Sequence, residues 1–135
     1  MSEESWRQET FEGISQWFWD IIQRADKDWD KLTTILNKLT KKQVYRFAQE
    51  FERAILLLND DPWIEKMTLD GYISEDDIDD VIGWIVSQGQ AYYLQVLADA
   101  RKTPLMDEVD DRQNLSGVAY SVYSRRFNDD LFIDI

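Results

Sequence analysis

The sequence predicts an all-α fold, a compact single-domain bundle of about six helices. Apolar residues recur at i, i+3, i+4 and i+7 in one segment after another. Only five glycines and two prolines interrupt the 135 residues. No stretch alternates apolar and polar residues in the manner of a half-buried strand. A chain of this length can bury about two-thirds of its unfolded surface in one core. Residues 1–135 therefore read as a single domain, with 1–5 and 127–135 as its looser ends.

The first predicted helix covers about residues 6–25, where Phe11, Ile14, Phe18, Ile21 and Ile22 share a face that Trp17 and Trp19 widen. A polar connection, 26–30, leads to a shorter helix carrying Trp29, Leu32, Ile35, Leu36 and Leu39. Thr40 is placed to cap a third helix over 41–58, with Val44, Phe47, Phe51, Ala54, Ile55 and Leu58 as its stripe. Lys41, Lys42, Arg46, Arg53, Glu50 and Glu52 lie off that stripe and read as a solvated face with local ion pairs. The break Asn59-Asp60-Asp61-Pro62 follows, with Asp61 as a cap and Pro62 at a first helical position. A short helix through Trp63, Ile64 and Met67 then runs to an Asp70-Gly71 turn.

The central helix is predicted over about 75–88. Ser74 followed by Glu75, Asp76 and Asp77 fits a capping box, and acids in a first turn face the positive end of the helix dipole. Ile78, Val81, Ile82 and Ile85 form its stripe, Trp84 and Val86 broaden it, and Gly89 supplies the stop. The same stretch imitates half of a calcium-binding EF-hand loop ending at Asp77. In that register Lys66 and Thr68 fall at the first and third ligand positions, and a lysine there is a cation where a carboxylate is needed. The turn-and-cap reading is therefore preferred, and no metal site is expected.

A helix over about 90–102 places Tyr93, Leu94, Leu97 and Ala98 inward and ends at Thr103-Pro104. Residues 105–114 read as an acidic linker or loose helix start. Leu115, Val118, Ala119 and Val122 mark a last helix ending near Arg126, and the tail that follows alternates acids with apolar residues.

Composition narrows the chemistry. The chain has no cysteine and no histidine, which removes disulfides, thiol chemistry, Ser–His and Cys–His nucleophile pairs and the commonest transition-metal ligands. A formal charge of −12 repels phosphate backbones and anionic lipid, so neither nucleic acid nor a membrane is expected as a direct partner. No apolar run is long enough to span a bilayer, and the polar, acidic start is unlike a signal peptide, so a cytoplasmic protein is the simplest expectation.

Two constellations remain. Asp70, Glu75, Asp76, Asp77, Asp79 and Asp80 form the densest carboxylate group. Asp76 pairs in register with Asp79 or Asp80, and such acids on a solvated face are caps and dipole partners before they are catalysts or cation ligands. Trp63, Trp84, Gln88 and Tyr93 are polar-tipped groups that seal a core more often than they line a pocket. If a site exists, it is expected where Trp63 meets the start of the central helix. Ser74 is a cap first, because no base is available to activate it.

Several positions together resemble an uncharacterised bacterial family, the domain-of-unknown-function family numbered 4240. They are Phe18-Trp19, Leu39-Thr40, Phe47, Phe51, Asp61, Trp63, Gly71, Ser74-Glu75-Asp76, Trp84-Ile85-Val86-Ser87-Gln88-Gly89 and Tyr93. The likeness covers roughly residues 15–125. The family's pattern often has Gly-Gly-Cys before the serine, aromatics at positions 78 and 81 and an arginine at 82; this chain has Gly71-Tyr72-Ile73, Ile78, Val81 and Ile82. The missing arginine removes the natural acid-plus-arginine ligand site. The resemblance implies a small helical cytosolic protein and no particular activity.

The expected function is that of a non-enzymatic interaction or regulatory module, such as an immunity-type inhibitor, with an acidic face toward a basic protein partner. No catalytic residue and no cofactor is expected, and the candidate binding residues are Trp63, Ser74, Asp76, Asp79, Asp80, Trp84, Gln88 and Tyr93. The alternative is a carboxylate-based protein that binds a ligand or divalent cation. A mimic of nucleic acid is the third reading, and it would need carboxylates spaced along one face like phosphates.

Overall fold

Among the described residues the chain forms eight α-helices, rather than about six, and no strand. The computed structural model describes residues 3–70 and 73–134, with the backbone alone at Glu3, Glu4 and Asp70. The Asp70-Gly71 turn lies partly outside the described residues.

One of the additional helices comes from the N-terminus, where the expected single helix is two, α1 (Glu3–Glu12) and α2 (Gln16–Ala25). Gly13 and Ser15 divide them. The Ser15 side chain caps α2 by accepting from the Phe18 N–H, and its own N–H donates to the Glu50 carboxylate. Helix α1 also begins inside the stretch expected to be loose. Helix α3 spans Trp29–Asn37 behind an Asp28 cap.

Helix α4 (Lys41–Leu58) has the predicted bounds. Thr40 accepts from the Gln43 N–H at 3.2 Å, and the Gln43 side chain accepts from the Thr40 N–H at 3.0 Å, a reciprocal cap. Glu50 corrects the solvated-face reading of this helix: it is 1% exposed and takes Arg46 Nε at 2.8 Å as well as the Ser15 N–H. Arg53 likewise reaches back to the Gly13 carbonyl at 2.9 Å. Both side chains lock the α1–α2 corner onto α4.

Helix α5 is a single turn, Trp63–Glu65, that widens into an i→i+5 turn over Lys66–Asp70. Asp61 does not cap it; Pro62 occupies the cap position. Helix α6 (Glu75–Ser87) packs on α4, and it is α4 rather than α6 that the other helices gather around, since α1, α2, α6 and the last helix all contact it. The first turn and a half of α6 is mostly wet, with Ile78 buried, whereas every residue from 81 to 87 is buried, because α4, the helix that follows and the segment before the last helix all pack on it. Gly83 permits the closest approach: a Cβ there would stand 2.6 Å from Asn114 Oδ1. The predicted stripe is thus too narrow, since this half of α6 is enclosed on all sides.

Gly89 has a φ of 113° and joins α6 directly to α7 (Gln90–Ala98). The inward residues of α7 are Tyr93 and Val96, while Leu94 is 37% exposed, against expectation. Short 3₁₀ turns over Met106–Glu108 and Asp111–Gln113 take the place of a linker. Helix α8 (Val118–Phe127) closes the bundle against α3 and α4. The tail docks: Leu131 is buried, Gln49 donates to the Asp134 carbonyl at 3.1 Å, and the Asp134 N–H donates to the Tyr45 hydroxyl at 3.3 Å.

Candidate functional site

Asp76, Asp79 and Asp80 are exposed on the solvent side of α6. None of the three carboxylates, nor that of Glu75, has an ion pair among the described residues. Ser74 does not cap α6 through its side chain; its hydroxyl instead donates to Asp77 Oδ2 at 3.0 Å. A hydroxyl hydrogen spent on a carboxylate three residues on replaces the expected serine-to-backbone bond, and the dipole is left to the acids of the first turn.

Trp63, Trp84 and Tyr93 are walls of the core. Trp63 Nε1 donates to the Val96 carbonyl at 2.8 Å, and Arg7 stacks on its ring with 4.9 Å to the centroid. Tyr93 is fully buried, donates to the Ala54 carbonyl at 2.8 Å and meets the Trp19 ring at 5.0 Å. Burial pushes its phenol well above the usual tyrosine range. Trp84 Nε1 donates to Gln113 Oε1 at 3.3 Å, with Tyr92 edge-on to its ring.

Of that set Gln88 lines a cleft of about 350 Å³ between α2 and the α6–α7 junction, beside Trp19, Ser87, Gly89 and Gln90. Two separated parts of the sequence resemblance, Trp19 and Ser87-Gln88-Gly89, therefore meet on one surface. Ser87, which sequence reasoning passed over, is 1% exposed. It donates to the Gly83 carbonyl at 2.7 Å and accepts from the Leu115 N–H at 2.9 Å, tying the last loop to α6.

A second cleft, of about 430 Å³, opens where α6 faces α4 and the start of α8. Asp79 and Asp80 form one side, Glu52, Ile55, Leu56 and Asn59 of the α4 end another, and Gly117 and Tyr120 a third. The Tyr120 hydroxyl donates to Glu52 Oε1 at 2.7 Å, and burial together with that carboxylate holds the phenol above its ordinary range. Partial burial, then the negative charges of Asp111, Asp77 and Asp79, raise the Asp80 carboxyl above the usual carboxylate range. Local periodicity could not have found this place. Glu52 lies off the α4 stripe, and Tyr120 comes from a helix far along the chain.

Trp63 lines neither of these two clefts. Among the described residues no group of three or more acidic, histidine or cysteine side chains is placed to hold a metal ion. No helix there is long and apolar enough to cross a membrane.

No curated protein and no solved structure matches the chain. A family model described as "Protein of unknown function (DUF4240)" matches residues 14–133, from the corner before α2 to the docked tail. Both clefts and the whole of α6 lie within that span, and the chain belongs to the DUF4240 family.

Proposed function

We propose that the protein is a non-enzymatic interaction module that meets a basic protein partner through an acidic surface, as a regulator or inhibitor does. The observation that carries this reading is where its cations go. Arg7 is spent on Asp60 and the Leu57 carbonyl, Arg46 on the Ser15 hydroxyl and Glu50, Arg53 on Gly13, and Arg126 on the carbonyls of Leu36 and Leu39. These four arginines staple helices to one another, while the acids of α6 stay in water without counter-charges. The uncompensated acids of α6 add to the negative surface of a chain whose formal charge is −12, and such a surface speeds encounter with basic partners and loses that effect as salt rises.

The test is capture from the source cell on immobilised protein at low and moderate salt. A retained basic protein that elutes as salt rises is expected, and an empty column at both salts would overturn the reading. Calorimetric titration with calcium, magnesium and manganese separates it from the cation-binding alternative. Silent titrations are expected.

A further inference from the structure

We infer that the cleft between α4, α6 and α8 is where that partner docks, and that its occupant is an arginine or lysine side chain of the partner. The inference rests on the interaction reading above. Two opposed kinds of surface meet in this cleft. Ile55 and Leu56 present half-buried aliphatic groups from α4, and Glu52, Asp79 and Asp80 present carboxylates across and above them. No lysine or arginine lines it.

A long basic side chain matches both surfaces, with an apolar stem laid along Ile55 and Leu56 and a cationic head among the carboxylates. An apolar occupant would leave the acids facing hydrocarbon, and an anion would be repelled by all three. Tyr120 holds the Glu52 carboxylate in place through its 2.7 Å hydrogen bond, so that acceptor is oriented before anything arrives. The Asp80 carboxyl is raised first by partial burial and then by the charges of Asp111, Asp77 and Asp79, and a cation beside it would relieve the second of these causes.

The test is an amide-resolved NMR titration of the full chain with a capped Gly-Leu-Arg-Gly peptide and its citrulline counterpart, which keeps the shape and loses the charge. Saturable shifts at Asp79, Asp80, Gly117 and Tyr120 are expected, with affinity falling about tenfold or more for citrulline. They should vanish in the Asp79→Asn/Asp80→Asn double variant, whose folding is checked by circular dichroism. Three outcomes would overturn the cleft: no saturable shift, an equal response to citrulline, or shifts spread over the acids of 26–30 and 105–114. Capture of the cellular partner separates the two proposals. If the double variant still retains the partner, the interaction reading stands and the cleft falls; if the wild type retains nothing, both fall.

Discussion

The phenolic hydroxyl of Tyr93 donates to the main-chain carbonyl of Ala54 across 2.8 Å, joining α7 to α4 in the middle of the core. Tyr93→Phe keeps the ring against Trp19 and removes only that bond. A loss of about 1 kcal/mol is expected, read as a fall of a few degrees in Tm, with the helical circular-dichroism signal unchanged.

Ser74 and Ser87 bracket α6, and the structure assigns them unequal weight. Ser87→Ala strands the Leu115 N–H inside the protein and should cost about 1–3 kcal/mol. Ser74→Ala removes an exposed bond to Asp77 and should stay within about 0.5 kcal/mol. Urea unfolding of the two variants checks the order.

Glu50 is the buried carboxylate of the molecule's N-terminal corner. Glu50→Ala leaves the Ser15 N–H and the Arg46 guanidinium without their shared acceptor and should destabilise by about 2–3 kcal/mol. Glu50→Gln retains an acceptor oxygen and should cost less. Equal losses in the two variants would show that charge, not the acceptor, holds the corner.

Asp80 makes a pH prediction of opposite sign to the ordinary surface acid. Its folded-state carboxyl holds its proton more tightly than the unfolded one, so its contribution is most favourable at low pH and is lost as pH rises through the folded value. Asp80→Asn should therefore raise Tm near neutral pH by about 1–2 °C, a small gain because solvent screens the site. The gain should shrink as the buffer is acidified below the ordinary carboxylate range. The same variant is expected to weaken capture of the basic peptide, so stability and binding would move in opposite directions.

Asp99 and Asp110 behave the other way. The Arg101 and Arg112 side chains hydrogen-bonded to them hold both carboxyls below the usual range, so what they contribute is present above that range and lost as pH falls from it through the lower folded-state values.

The bounds of α4 and α6 were legible in the sequence because they depend on neighbours a few residues apart. Thr40, the apolar period of α4 and the isoleucine stripe of α6 are local signals, and these two helices lie where their residues place them. Local reading failed where a distant group supplied the deciding bond. Glu50 looked solvated because its donor, the Ser15 N–H, sits 35 residues away. Ser87 looked unremarkable because its second partner is Leu115, 28 residues on.

The sequence by itself determined an all-helical, strongly acidic chain without histidine or cysteine, and with it the classes of chemistry left open. Only the tertiary structure decided which acids stay wet, which arginines become staples and where Glu52, Asp79, Asp80 and Tyr120 come together. Periodicity records which face of a helix is apolar. Which partner covers that face, and what cleft remains between the two, depends on contacts between residues far apart in the chain.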